Sequence, residues 1–298
     1  NVKDVKDAVV AQKATITITG TNDSPTVAAA LTAMDDEGDP AFMLNLLQGA
    51  TDPDQGETAS LTVVNVMYSV NGATAVEAAP AGLSLSGSTL TVDPTNNVFN
   101  SLAVGEQTVI TVSYNVRDAQ GATVPQTATI TINGTNDAPN ISATAMQGAT
   151  LPETDAALTA SGTFTVADPD TTDVVTASKN GVTTSGPVGS LSEADFLSFF
   201  TVTPATVLSN AQVSNTLNWS FTSGASTFDY LAAGQTLTLT YGVKVMDDSG
   251  AMNDSDTDTV TITISGSDDV PVIQQFTATG SVDEAALPAV SMSVNNVT

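Results

Sequence analysis

The chain has 298 residues, of which 32 are acidic and only 6 are basic, and its formal net charge is −26. Such a charge repels phosphate backbones and anionic lipid, so we expect neither nucleic acid nor a membrane surface as a partner, and cations are favoured. The chain contains no cysteine and no histidine, which excludes disulfides, thiol catalysis, zinc–thiolate sites and a histidine general base.

The composition also bounds the kind of structure. The length fits roughly two domains of about 150 residues each. With 41% hydrophobic residues in alternating runs, the sequence favours packed cores over disorder. No apolar run approaches the ~18 residues that span a bilayer, and the chain starts with neither a methionine nor an apolar signal core. We therefore expect a segment of a longer protein, without membrane insertion.

One phrase recurs three times: ATITITGTNDSP at 14–25, ATITINGTNDAP at 128–139 and VTITISGSDDVP at 260–271. Its glycines, Gly20, Gly134 and Gly266, lie 114 and 132 residues apart, a spacing typical of one domain per repeat. We predict four parts: the C-terminal strand of a preceding repeat at 1–21, complete repeats at 22–135 and 136–267, and the start of a following repeat at 268–298.

Within each complete repeat, apolar and polar residues alternate as in strands with one face on a core. The residues predicted to face inward are Ile110, Val112, Tyr114, Val116, Ile130 and Ile132 in the first repeat and Leu237, Leu239, Tyr241, Val243 and Val245 in the second. Turn residues divide each repeat into about seven strands. This pattern predicts an all-β chain of tandem antiparallel β-sandwiches of the immunoglobulin/cadherin-like type, in an extended array.

The second repeat is 18 residues longer than the first, and most of the extra length lies in the middle of the domain. There the stretch SLSEADFLSFF offers Ser192 as a helix N-cap, with Asp195 three residues later as a variant of the capping box. Phe196, Phe199 and Phe200 would share one side. We predict a short helix packed on the edge of the sandwich; an insertion that contacts a ligand is the alternative.

Acidic residues recur at matching places, and strand parity puts them at shared poles of the sandwiches. One set closes the second and sixth strands, at the pole where the preceding linker enters: Asp52, Asp54 and Asp118 in the first repeat, and Asp168, Asp170 and Asp247 in the second. The other set lies in the linkers or after the first strands: Asn22, Asp23, Asn136, Asp137, Asp268, Asp269, Glu37 and Glu153. Each junction would therefore collect oxygen ligands from the linker and from the repeats around it.

Several carboxylates brought this close together would repel one another strongly without a counter-ion. A hard cation that takes 6 to 8 oxygen ligands suits such a cluster, which favours Ca²⁺ over Mg²⁺, because Mg²⁺ retains its waters. No thiolate or imidazole is present to favour a transition metal. Ordinary turn chemistry and solvated surface charge are the alternatives for any single motif, but recurrence at one pole favours a metal. Five acidic residues fall outside this pattern, and we interpret them as surface charge: Asp39, Asp93, Asp155, Asp229 and Glu77.

The motifs TATITINGTNDAPNI, LAAGQTLTLTYGVKVMDDSG and TFTVADPD resemble those of VCBS-type cadherin-like repeats, which occur in tandem in giant secreted adhesins of Gram-negative bacteria, of the RTX, type I secreted kind. The resemblance implies surface filaments for attachment and biofilm formation, stiffened by calcium at the linkers. The ligands that it implies for the central junction are Asn136, Asp137, Asp168, Asp170 and Glu37.

Two features depart from that pattern. The third linker has Asp268 and Asp269 in place of Asn-Asp, and the segment MDDEGDP leaves Asp35 and Asp36 as alternatives to Glu37. No glycine-rich nonapeptide calcium repeat is present in the sequence.

Three functions follow as hypotheses. The first is a non-catalytic extender on the bacterial cell surface, a monomer whose partners are calcium ions and the neighbouring repeats. The second is a sugar- or protein-binding module built on the second repeat, with Trp219 and Tyr230 as a platform, although Trp219 and Phe221 alternate with polar neighbours as core residues of a strand do. The third, a glycosidase using two carboxylates, is disfavoured because the acidic motifs recur in every repeat.

Overall fold

The computed structural model describes residues 1–269. The predicted start of a following repeat therefore lies outside the described residues, except for 268 and 269. The strands are β1 Val2–Lys3, β2 Val9–Val10, β3 Leu31–Asp36, β4 Phe42–Asn45, β5 Thr62–Val70, β6 Leu83–Ser86, β7 Thr89–Val92, β8 Gln107–Arg117, β9 Thr123–Asn133, β10 Asn140–Ser142, β11 Gly148–Pro152, β12 Thr159–Ala167, β13 Val175–Ser185, β14 Phe200–Thr203, β15 Thr206–Leu208, β16 Ser214–Thr222, β17 Thr236–Met246 and β18 Ser255–Ser265. A 3-10 helix, η1 (Glu57–Ser60), and an α-helix, α1 (Glu193–Ser198), complete the elements of this part of the chain.

The first complete repeat is a sandwich of two sheets. A four-stranded sheet in the order β3-β9-β8-β5 packs on a three-stranded sheet in the order β4-β7-β6. The core lies between them, and the inward-facing residues predicted from the sequence, such as Ile110, Val112 and Tyr114, are buried. The hydroxyl of Tyr114 crosses this core and donates to the carbonyl oxygen of Leu46 (2.7 Å), so the buried polar group is satisfied.

The second complete repeat is a larger sandwich with the same plan. Its sheets have the orders β10-β12-β16-β14 and β11-β18-β17-β13-β15. Leu237, Leu239 and Tyr241 are fully buried between them, as predicted. Trp219 and Phe221 also lie in the core, and the indole N–H of Trp219 donates to the side chain of Gln147 (2.8 Å).

Both sandwiches are antiparallel except at one edge, where the first strand of the repeat runs parallel to the last. In the first repeat β3 pairs with β9 in parallel, and in the second β11 pairs with β18. The parallel edge arises because the first strand is split: β10 pairs antiparallel with β12 in one sheet, and the chain then crosses to the other sheet as β11. Parallel strands end at the same pole, so the residues after β3 and β11 lie beside the linker that follows β9 or β18.

The insertion in the second repeat forms the predicted helix, α1. Ser192 is its N-cap, and both hydrogen bonds of a capping box with Asp195 are present. Phe196 is buried and Phe199 packs partly buried against the same core. Phe200, predicted on the same helical side, instead begins β14, and its ring stacks on Tyr241 with centroids 4.4 Å apart. The insertion therefore extends the hydrophobic core of the sandwich.

The segment assigned to a preceding repeat keeps part of the repeat's register. Strands β1 and β2 pair Val2 with Val10, which matches the pairing of Val116 with Val124 in the hairpin of β8 and β9. The assignment of 1–21 as the end of a preceding repeat stays a prediction.

The linker leaves each complete repeat through a close backbone contact at a glycine. The amide of Gly134 donates to the carbonyl oxygen of Glu106 (2.9 Å). A methyl group on Gly134 would overlap the carbonyl oxygens of Leu102 and Ala103. Gly266 makes the equivalent approach to the backbone of the second repeat, whereas an added methyl group at Gly20 would meet no atom within 4 Å in the part of the chain described.

We predict that Gly134→Ala lowers the stability of the first repeat and that Gly20→Ala does not. The added methyl group at Gly134 forces the linker away from the backbone of Leu102 and Ala103, and overpacking of this kind costs about 1–3 kcal/mol. Thermal or denaturant unfolding of the two variants beside the parent chain measures the difference. Equal loss in both variants would mean that the close contact at Gly134 does not matter.

Candidate metal site at the junction between repeats

The linker between the complete repeats docks on the second repeat through its Asn-Asp pair. The side-chain amide of Asn136 donates to Asp247 Oδ2 (3.2 Å), and Asn253 donates in return to the carbonyl oxygen of Asn136 (2.8 Å). The backbone N–H of Asp137 donates to Asp170 Oδ2 (2.9 Å). The linker is thus held against the carboxylates that end β12 and β17.

These carboxylates are buried, and loop geometry fixes each of them. Asp168, Asp170 and Asp247 are 1%, 1% and 4% exposed. Asp168 Oδ1 accepts the backbone N–H of Asp170 (3.0 Å), and Asp247 Oδ1 accepts the N–H and hydroxyl of Ser249 (2.9 and 2.6 Å). Turn hydrogen bonds therefore satisfy only part of each group: within residues 1–269, Asp168 Oδ2 and Asp170 Oδ1 are buried with no hydrogen-bond partner.

The first repeat contributes Glu37 to the same junction. This residue directly follows β3, its backbone N–H donates to the carbonyl oxygen of Asn133, and its side chain is 7% exposed. Glu37 Oε1 accepts the N–H of Thr135 in the linker (2.7 Å), while Oε2 is buried without a partner among the residues described. Asp36 instead bonds the side chain of Asn133 at the exposed surface, so the parallel strand β3 presents Glu37 rather than its acidic neighbours to the linker.

The junction before the first repeat has the same hydrogen-bond pattern. Asn22 donates to Asp118 Oδ2 (2.9 Å) and the N–H of Asp23 donates to Asp54 Oδ2 (2.9 Å). Asp54 in turn donates its N–H to Asp52 Oδ1 (2.8 Å). The structure thus brings together the residues that the sequence predicted to share this pole.

The end of the second repeat repeats the arrangement around Glu153. This residue follows β11, is 2% exposed and accepts the hydroxyl of Ser267 at Oε2 (2.7 Å). Carboxylate oxygens of Glu153, Asp155 and Asp269 lie within 4.8 Å of one another. Asp268 is not in this group. Asp155 is exposed, as a surface charge would be, but its position beside Glu153 differs from the isolated charge that the sequence suggested.

Sequence reasoning missed one acidic position in each repeat. Asp173 lies with Asp168 and Asp247, and Glu57 lies with Asp52 and Asp54, in groups whose carboxylate oxygens are within 4.8 Å of one another. The sequence held a signal for both: each acid stands five residues after the first aspartate of its Asp-Pro-Asp motif, in DPDTTD and DPDQGE. The signal is weak because one residue is Asp and the other is Glu, and both sit in stretches that resemble turns.

Burial without neutralising partners raises the pKa values of the carboxylates at the central junction. Desolvation is the main cause that raises the pKa of Asp168 to about 6 and that of Asp170 to about 7, and neighbouring carboxylates add to both shifts. The pKa values of Glu37, Asp137 and Asp173 are raised by burial as well, with Asp137 adding to the shift at Glu37. The negative charges are therefore held together at a cost in free energy.

The chemistry of the donor set fits a hard cation. The candidate ligands at the junction are carboxylate and amide side chains. Buried oxygens without hydrogen-bond partners are rare in folded proteins unless an ion or water satisfies them. Calcium takes 6 to 8 oxygen ligands in flexible geometry, so Asn136, Asp137, Asp168, Asp170 and Asp247, with Glu37 from above, provide suitable ligands. The absence of histidine and cysteine from the sequence leaves no donors of the kind that soft metals prefer.

Comparisons with known proteins add a distant likeness. No family model and no curated protein matches the chain. Similar solved structures include mouse cadherin-23 EC22-24 (16% identity, TM-score 0.40, covering 83% of this chain and 67% of that one) and protocadherin gamma B7 cadherin domains 1-4 (16%, 0.40, 81% and 49%). Human mucin-like protocadherin EC1-2 matches at 11% identity and a TM-score of 0.35, over 81% of this chain and 97% of that one.

The chain spans about half the length of the protocadherin gamma B7 structure, at 49% of it. Scores this low carry no conclusion about ligands or activity, and the sandwich assignment stands on the strand order and the two cores. Over residues 1–269, no helix has both the length and the apolar character needed to cross a bilayer.

We predict that the metal-free protein becomes less stable as the pH rises from about 4 to 7. The ordinary pKa of an aspartate is 3.8, whereas native Asp168 and Asp170 have values of about 6 and 7. Over this window the native state holds protons that the unfolded chain has released, so the free energy of unfolding falls with rising pH. Thermal unfolding in metal-depleted buffers measures the slope.

Matched variants distinguish the effect of this junction on the pH slope from the effect of the net charge of the chain. Asp168→Asn with Asp170→Asn flattens the slope, because the two raised pKa values are removed. Glu77→Gln with Asp229→Asn changes the net charge equally at exposed positions and leaves most of the slope in place. A stability that is flat or rises over this pH range in the parent chain would contradict the prediction.

Proposed function

We propose that this chain is a stretch of a non-catalytic extender in a large extracellular adhesin, and that calcium at the junctions stiffens it. The observation that carries the proposal is the convergence of buried, partnerless oxygens from three sources at the central junction. Among the residues described, these are Glu37 Oε2 from the first repeat, Asn136 Oδ1 from the linker, and Asp168 Oδ2 and Asp170 Oδ1 from the second repeat.

The physical argument links the ion to the geometry of the joint. Without a cation, the carboxylate of Asp137 repels that of Glu37 on one side and those of Asp168 and Asp170 on the other. A calcium ion that accepts oxygens from both repeats and from the linker removes this repulsion only when the repeats are held in one arrangement. Binding to the native state alone adds about 2.7 kcal/mol per site at a calcium concentration of 100 times Kd.

We propose an extracellular setting on the basis of the affinity class that such sites have in other proteins. Calcium sites of extracellular modules have Kd values of roughly 10⁻⁴ to 10⁻³ M, far above cytosolic calcium, so the chain would stiffen after export. The absence of cysteine means that no oxidative step is needed. A place on a bacterial surface, with a role in attachment and biofilm formation, rests on the resemblance of the linker and strand motifs to VCBS-type repeats of RTX adhesins. We propose that the segment acts as a monomer.

Among residues 1–269, the aromatic platform suggested for a ligand-binding second repeat is not exposed at Trp219. Trp219, the aromatic residue most suited to a sugar platform, is 2% exposed and packs in the core. The inserted helix buries Phe196 in that core. The junction therefore remains the better candidate for function.

We predict that calcium raises the melting temperature of the chain and that Asp168→Asn with Asp170→Asn removes part of the gain. The remaining gain comes from the junction of Asp52, Asp54 and Asp118, which these substitutions leave intact. Differential scanning calorimetry with a calcium titration measures the effect. Glu77→Gln with Asp229→Asn, which removes two exposed charges elsewhere, should keep the full gain. If the parent chain melts at one temperature with and without calcium, the metal site is refuted.

We further predict that calcium increases the maximum dimension of the chain in solution. Small-angle X-ray scattering with calcium and then with a chelator measures this dimension, which should fall when the joint is released. Glu37→Gln removes a ligand of the first repeat while it leaves those of the second repeat intact, so it should reduce the change; Glu77→Gln is the control. An unchanged dimension in the parent chain would refute the role as a strut even if calcium binds.

A further inference from the structure

Asp173 stands out among the acidic residues of the central junction because the linker motifs do not account for it. It lies between the Asp-Pro-Asp loop and β13, is 7% exposed, and its Oδ2 atom is buried with no hydrogen-bond partner in residues 1–269. Its carboxylate lies within 4.8 Å of those of Asp168 and Asp247, in a group that does not include Glu37 or Asp137.

The backbone fixes Asp173 firmly in this place. Its N–H donates to the carbonyl oxygen of Asp170 (3.2 Å), which closes the turn after the Asp-Pro-Asp motif. The next residue, Val174, donates its N–H to Asp248 Oδ1 (2.9 Å), and Val175 then enters the core as the first residue of β13. A residue that only served this turn would leave its carboxylate in water, whereas here the side chain is directed into a group of buried acids.

The first repeat supplies an independent second case. Glu57 occupies the same position, five residues after Asp52, and its carboxylate lies within 4.8 Å of those of Asp52 and Asp54. One oxygen of Glu57 accepts the side chain of Gln120, and the other is buried without a partner in the described part of the chain. Two repeats with different loop sequences thus bury an unsatisfied carboxylate oxygen at the same position.

We propose that Asp173 is a metal ligand and that, with Asp168 and Asp247, it forms a cation position inside the second repeat, distinct from the ligands that Glu37 supplies from the first. Glu57 has the same role in the first repeat. The inference rests on the proposed calcium function, because the same class of hard divalent cation suits an all-carboxylate site. All three ligands of this inner position belong to one repeat, so it forms whether or not the first repeat is docked.

The inner position gives the joint an order of assembly. With Asp173 charged, the proposed ligands at the junction include six carboxylates: Glu37, Asp137, Asp168, Asp170, Asp173 and Asp247. One divalent ion cannot balance this charge. A cation held by Asp168, Asp173 and Asp247 neutralises the second repeat first and fixes Asp247, to which Asn136 donates. The linker then docks on carboxylates whose positions the first cation has already fixed. Glu37 from the first repeat adds the last ligand, so that the ions connect the two repeats.

Calcium binding to Asp173→Asn tests the assignment. The probe is calcium chloride, with affinity measured by isothermal titration calorimetry and the number of bound ions by native mass spectrometry, on the whole chain. Asp248→Asn is the matched control: it makes the same charge change at an exposed residue next to Asp247, and asparagine can still accept the N–H of Val174 through its side-chain oxygen.

For Asp173→Asn we expect the loss of one bound ion, or a weakening of one site by at least about tenfold, because even residues that only support a ligand contribute 10- to 100-fold to metal affinity. The metal-free variant should melt at a higher temperature than the parent chain, since a buried repelling charge is removed, while its gain with calcium becomes smaller. A residue with only a structural role would lower the melting temperature in both states.

The outcomes separate this inference from the proposed function. If Asp173→Asn binds as many ions as the parent chain with the same affinity, the inner position is refuted and the calcium joint stands. If Asp248→Asn weakens binding equally, the effect is one of general charge and Asp173 is not a ligand. If the parent chain binds no calcium at all, both the proposed function and this inference fail.

Discussion

Mutual repulsion among buried carboxylates at the joint is the constraint on which the rest of the arrangement depends. Asp168 and Asp170 are almost fully buried. An unpaired charge away from water is costly in free energy. A chain that needed only a turn at this point would leave them solvated. The hydrophobic core of the second repeat holds the ends of β12 and β17 close together, so the energy of that core maintains a charge cluster that would otherwise spread apart.

The parallel pairing of the first and last strands places one acidic residue of each repeat at the following linker. A first strand that stayed paired with the second strand, as β10 pairs with β12, would end at the same pole but in the sheet opposite the last strand. Because β3 instead lies beside β9 and runs parallel to it, its end is next to the end of β9, and Glu37 emerges beside Thr135. In the second repeat the parallel pairing of β11 with β18 places Glu153 beside Ser267. The parallel edge thus connects the fold of one repeat to the linker that joins it to the next.

Strand periodicity predicted much of this fold from the sequence, because residues such as Ile130 and Leu239 alternate with half-buried threonines, a pattern typical of strands with one face on a core. Local chemistry also predicted the cap at Ser192. The parallel crossing was not predictable, since a short strand reads the same whichever neighbour it pairs with. Asp173 and Glu57 were missed because an acid in a turn is usually solvated, and its burial depends on packing that the local sequence does not encode.

For Ile16 and Ile18, the alternating pattern does not predict burial. Their counterparts Ile130 and Ile132 are buried, but Ile16 and Ile18 are 84% and 90% exposed. The pattern ATITIT identifies a strand that needs a core, yet a core requires the strands opposite, and within residues 1–269 the segment 11–20 pairs with none. Periodicity states which face a strand would bury and leaves open whether anything covers it.

The repeated phrase keeps a constant distance along the chain between the last core residue of a repeat and the linker residue that contacts the next repeat. The linker aspartate stands five positions after the last core isoleucine in both complete repeats, Asp137 after Ile132 and Asp269 after Ile264, although the repeats differ by 18 residues in length. The extra residues lie in the middle of the domain, where the core absorbs them as α1 and β14. One residue added between Ile132 and Asp137 would move every linker ligand away from Asp170 and Asp247, and the glycine in that interval already touches the backbone of the repeat that it leaves. Length can therefore vary in the body of a repeat but not at its exit, because only the exit must place the linker within hydrogen-bond distance of the carboxylates of the next repeat.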